Sequence, residues 1–123
     1  MATLNDRVLD SGLSVLDTEA NKIVITSQEA TTYTEANATY ALGNSTSLSI
    51  AAPSDRSGGG REVVVAAITD GSITATGTAT HYAIVDTVNS RLLATSTLSA
   101  SQSVTSGNTF TLASFTIGIP DPA

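Results

Sequence analysis

With 123 residues, the chain has room for one domain around a modest core. Hydrophobic residues make up 41% of it but aromatic ones only 4%, with no tryptophan, so Val, Ile, Leu and Ala must fill the interior. A net charge of −6 with five scattered basic residues excludes the basic face of a nucleic-acid binder; the lack of cysteine excludes disulfides and cysteine metal sites.

Residues 4–19, LNDRVLDSGLSVLDTE, place Leu4, Val8, Leu9, Leu13 and Leu16 at helical spacing, with Thr3 or Asn5 as cap. Gly12 weakens the middle by about 1 kcal/mol relative to alanine, so a short helix or helical turn is expected, open to a break at Ser11–Gly12. The segment 1–20 reads as a flap over the sheet or as an arm reaching a neighbouring subunit. Charge enters at once and no apolar stretch resembles a signal peptide or approaches the ~18 residues of a membrane helix. The expectation is a soluble protein, made without an export signal and without membrane contact.

KIVITS (22–27) is a short apolar strand, followed by a long polar loop over 28–47 anchored by Tyr33, Tyr40 and Leu42. SLSIAA (47–52) suggests an edge strand, and PSDRSGGG (53–60) a flexible turn. REVVVAAIT (61–69) is so continuously apolar that burial on both faces is expected, with Asp70–Gly71 as the hairpin turn into SITATG. TATHYAIVD (78–86) alternates, with Tyr82 and Ile84 on one face and His81, Ala83 and Val85 on the other. TVNS (87–90) turns the chain into RLLATSTL (91–98), and Ser106–Gly107–Asn108 marks a further turn. Phe110 and Leu112 share a parity that Phe115, Ile117 and Ile119 reverse, which predicts a bulge or sheet-switching bend at Ala113–Ser114. The fold expected is all-β, an antiparallel β-sandwich of about eight strands over 21–123 with a short N-terminal helix.

Threonine and serine together exceed a quarter of the chain, clothing the strands in hydroxyls where Lys and Glu are usual. His81 is the only histidine, without a cysteine or second histidine to complete a zinc site; it reads as a half-exposed strand residue bonded to a hydroxyl or carbonyl. SGGGR lacks the lysine and following helix of a phosphate loop. The carboxylates Asp10, Asp17, Glu19, Asp55, Asp70 and Asp86 form no calcium-loop pattern. No catalytic residue, cofactor or metal ligand set is assigned, and a non-enzymatic role is expected.

VLDTEANKIVITSQEATTYTEANATYALGN (15–44), GREVVVAAITDG, GTATHYAIVDTVNSRLLATSTLS and SGNTFTLASFTIGIPDP resemble small structural proteins encoded by tailed bacteriophages. The resemblance runs nearly end to end. It implies a virion component located on the head: a decoration or cement protein that binds the major capsid protein on the outer shell and stabilises the lattice. A homo-oligomer is implied, a trimer foremost, since icosahedral lattices offer three-fold positions. Synthesis would be in the host bacterial cytoplasm. Contacts through the N-terminal segment and the loops make Leu4, Val8, Leu9, Tyr33, Tyr40, Arg56 and Arg61 the candidate interface residues. Two other roles fit the same chain: a tail- or fibre-associated subunit bound to connector proteins, and a carbohydrate-binding or hydrolytic module.

Overall fold

The structure, a computed structural model, describes residues 6–120. Among them are helix α1 (Asp6–Glu19), a π-helical turn (Glu35–Thr39) and nine strands. The strands are β1 (Lys22–Thr26), β2 (Ala41–Ser45), β3 (Ser54–Asp55), β4 (Arg61–Val65), β5 (Ile68–Ile73), β6 (Gly77–Asp86), β7 (Arg91–Val104), β8 (Thr109–Leu112) and β9 (Phe115–Ile119). Every pairing between them is antiparallel. One sheet has six strands in the order β7-β6-β1-β2-β5-β8, the other three in the order β3-β4-β9. The fold is therefore all-β and two-sheeted with an N-terminal helix, the sandwich-like class that strand spacing predicts.

The described chain divides into two compact units: residues 6–19, 49–67 and 113–120 in one, 20–48 and 68–112 in the other. Helix α1 thus falls in one unit with segments from much later in the chain.

In the first unit α1 packs on β4 and β9 through buried Leu13 and Leu16. The helix runs unbroken through Gly12, where an added Cβ would meet only Ile119 Cδ1 at 3.6 Å. Packing of an apolar stripe outweighs the local propensity cost, as it does for most short helices. β4 is buried on one face only: Val63 and Val65 are inaccessible while Val64 is 38% exposed. The expectation of a strand covered on both sides over 61–69 is thus corrected, because β4 is the middle of a three-stranded sheet and ends at Val65. Residues 47–52 form no strand; Ile50 makes an isolated bridge to Val65, with the Ala51 N–H donating to the Val64 carbonyl at 3.0 Å. β3 instead falls inside the segment expected to be loop. Its turn into β4 carries Gly58, Gly59 and Gly60 at φ of 89°, 106° and 91°, a region glycine alone enters freely.

In the second unit β1 is central, hydrogen-bonded to β2 and β6, and Ile23, Val24, Ile25 and Thr26 are all buried. Ile23 lies opposite Ile84, Val24 opposite Ala83 and Ile25 opposite Tyr82. Full burial of each such side chain stabilises the sheet by roughly 1.5–3 kcal/mol. Val24, Ala83 and Val85 form one cluster with Ala30 and Ala36, against which Tyr33, Tyr40, Ala41 and Leu92 pack. The segment expected to be a featureless loop over 28–47 therefore contains a cap for one face of the sheet, then strand β2.

Asp70 and Gly71 are not a hairpin turn but sit inside β5, beside a register irregularity between Ile68 and Gly71. The turns at 87–90 and 106–108 lie where expected, and Gly107 has φ +91°. β7 continues past Leu98 to Val104. β8 pairs with β5 in the large sheet and β9 with β4 in the small one, so the parity change at Ala113–Ser114 is a change of sheet.

Candidate interaction surface

The loops expected to meet a partner are shaped by their own side chains. Arg61 donates from Nη1 to Asp55 Oδ1 at 2.6 Å and from Nη2 to the Pro53 carbonyl at 3.2 Å. Arg56 Nη1 donates to the Gly59 carbonyl at 3.0 Å, and its backbone N–H to the Gly60 carbonyl at 3.2 Å. Both arginines thus close the glycine-rich turn. The Asp55 side chain is 90% exposed, so this ion pair fixes geometry more than it adds stability.

Tyr33 and Tyr40 come together over the alanine-lined cluster. The Tyr40 hydroxyl donates to Glu35 Oε2 at 3.1 Å, while Glu35 Oε1 accepts from the Thr31 hydroxyl at 2.7 Å and the Thr31 N–H at 2.9 Å. Those donors favour the ionised carboxylate: the Thr31 hydroxyl, foremost, holds Glu35 below its ordinary pKa, and the Glu35 bond raises Tyr40. Both tyrosines are half-buried scaffold for this loop. Leu4 lies outside the described residues; Val8 and Leu9 fall within α1, with side chains outside the described part.

His81 sits half-buried on β6, between Thr26 and Thr97 in register. The Thr80 hydroxyl lies 2.9 Å from the Ser27 carbonyl and 2.8 Å from His81 Nδ1. A carbonyl can only accept, so the hydroxyl proton goes to Ser27 and the ring Nδ1–H donates to Thr80.

Two of the scattered carboxylates, Asp70 and Asp86, are held by several hydrogen bonds each. Asp70 accepts from the Ser47 hydroxyl at 2.6 Å and the Ser45 hydroxyl at 3.0 Å, bonds that lower its pKa, Ser47 contributing most. A carboxylate held low is a weak base, so this arrangement fastens a loop and does not activate Ser47. Asp86, only 2% exposed, closes the β6–β7 turn: it accepts from Asn89 Nδ2 at 2.8 Å, the Val88 N–H at 2.9 Å and the Asn89 N–H at 3.3 Å. Asn21 adds a clamp, accepting from the Thr87 N–H at 3.1 Å and donating to the Thr87 hydroxyl at 2.9 Å. Three consecutive backbone donors are thereby occupied, and Ser90 turns left-handed at φ +55°. Above this base Val88 stands 81% exposed, more than any other large apolar residue described. An aspartate preceding TVNS was the readable signal for such a turn.

Asn89, foremost, lowers the Asp86 pKa. A lowered folded pKa contributes stability that is complete above the ordinary aspartate value of 3.8 and lost as pH falls through the folded value. Unfolding midpoints in urea are therefore expected to hold steady from neutral pH down to about 5, then drop in acid. Asp86→Ala should lower the neutral-pH midpoint and shrink the acid drop; an identical acid profile in the variant would contradict the role given to Asp86.

Comparison of the chain with protein-family models, curated proteins and solved structures gives no match to any of them. Among the described residues no helix is long and apolar enough to cross a membrane, and no group of three or more His, Asp or Glu is placed to hold a metal ion.

Proposed function

We propose that the chain is a structural protein of a tailed-bacteriophage virion: a decoration protein that binds the outer face of the assembled capsid shell. The resemblance of its motifs to such proteins supports this reading. The observation that carries it is the β6–β7 turn, an ordered base of five hydrogen bonds presenting one exposed valine. Such a feature is pre-organised for contact, because little conformational freedom remains to be lost on docking. Its neighbours in the turn, Thr87, Asn89 and Ser90, are uncharged, a setting that fits a shallow apolar socket on a protein. Binding only the assembled shell would stabilise it by mass action, each copy adding its binding free energy.

The test uses heads of the encoding virus that lack this protein. Added chain is expected to bind them saturably, at positions repeating over the whole lattice. Val88→Asp should weaken binding about a hundredfold, since a charge would enter an apolar socket, while leaving the melting temperature unchanged. Failure of the wild-type chain to bind heads would overturn the proposal. Its recovery only at the tail of mature particles would move the assignment to a tail or fibre subunit.

A further inference from the structure

We infer that residues 27–40 form a strap that lifts from the six-stranded sheet as one piece while the sheet beneath stays paired. The strap is bound to itself more than to the sheet. Its ends meet where the Ser27 N–H donates to the Tyr40 carbonyl at 3.0 Å, closing it as a compact surface loop. Within it the Ala36 N–H donates to the Thr32 carbonyl at 3.1 Å and the Tyr40 N–H to the Glu35 carbonyl at 2.8 Å. The Glu35 N–H donates to the Thr32 hydroxyl at 3.1 Å, and the Glu35 carboxylate spans the loop from Thr31 to Tyr40. Movement of the loop as a body breaks none of these bonds.

Its hold on the sheet is slight. Ala30 and Ala36 alone among residues 27–40 are buried, and alanine removes less apolar area from water than any larger apolar side chain. Tyr33 and Tyr40 add half-buried rings. The Thr80 hydroxyl donates to the Ser27 carbonyl at 2.9 Å and the Thr26 hydroxyl to the Gln28 carbonyl at 2.8 Å, which anchors the foot of the strap. Among the described residues, one side-chain bond ties 29–39 to the sheet. The Lys22 ammonium, the only one from a lysine in the chain, donates to Asn37 Oδ1 at 2.8 Å.

The sheet beneath does not depend on the strap for its pairing. β1 and β6 pair without a register shift from Lys22 to Thr26, with Val24 opposite Ala83, while Ile23, Ile25 and Ile84 are fully buried on the opposite face. A segment with few buried apolar contacts over a self-sufficient sheet opens at a free energy well below that of global unfolding. Its opening bares Val24, Ala83 and Val85.

Thiol labelling of single-cysteine chains tests the strap, since the protein has no native cysteine. Ala36→Cys in the strap and Ala83→Cys beneath it should react with a small disulfide reagent at neutral pH at similar rates. Ile84→Cys, the next residue of β6 but on the opposite face, should react at least about tenfold more slowly, because it waits for global unfolding. Low urea should leave the first two rates nearly unchanged and raise the third steeply, since local opening exposes little surface. Asn37→Ala removes the bond from Lys22 and should speed labelling at Ala36→Cys and Ala83→Cys about fivefold without altering Ile84→Cys. Val85→Cys replaces Ala83→Cys if that chain does not fold. Equal rates at all three positions, fast reaction at Ala36→Cys alone, or no response to Asn37→Ala would overturn the inference.

Discussion

Gly43→Ala is expected to destabilise the protein by about 3 kcal/mol, the upper range for forcing an added methyl into a packed site. A Cβ at residue 43 would sit 2.5 Å from the Ser72 carbonyl oxygen, 3.0 Å from Ile73 Cδ1 and 3.2 Å from Ile73 Cα. Two of those three atoms are backbone of β5, which cannot swing aside as a side-chain tip can. Gly43 lies opposite Ile73, and Asn44 opposite Ser72, in a ladder of only those pairs. Relief therefore means moving β2 off β5, in the middle of the six-stranded sheet. A melting temperature lower by roughly 10 °C should accompany the loss. An unchanged midpoint in heat and in urea would show that β2 and β5 do not approach this closely.

The second large effect belongs to Gly71 and Phe110, which lie opposite each other in β5 and β8. A Cβ on Gly71 would collide with Phe110 Cε1 and Cζ, so the ring occupies the space that the glycine leaves. Phe110→Ala should cost about 3 kcal/mol by removing a largely buried ring, and Gly71→Ala about 2 kcal/mol by collision with it. Once the ring is gone, Gly71→Ala should cost far less, giving a coupling of at least about 1 kcal/mol in a double-mutant cycle. Additive effects would contradict the geometry. Were Asp70–Gly71 a tight turn, alanine would suffer from backbone strain regardless of Phe110; Gly71 is not among the glycines with positive φ.

These glycines show where local patterns fail. NG and DG pairs and long polar runs signal turns because glycine is usually chosen for its backbone freedom. In β2 and β5 it is chosen for having no side chain, which depends on a neighbouring strand or ring that no local window contains. The tyrosines are legible as anchors of a long segment, but the face that they cover is defined by β1 and β6, distant in sequence. Asp86 was readable as a turn residue; its burial and its three donors were not.

Residue order alone determined the all-β class, the N-terminal helix, β1, the β6–β7 hairpin, its turn and the change of sheet at Ala113–Ser114. Each depends on periodicity or turn chemistry carried within a few adjacent positions. Tertiary structure alone decided that α1, Arg56 and Arg61 serve the unit of the small sheet, that β4 is covered on one side, and that β7 stands at one edge of the six-stranded sheet. Strand order is a property of long-range pairing, and which edge is left open emerges only when every other strand has found its neighbour.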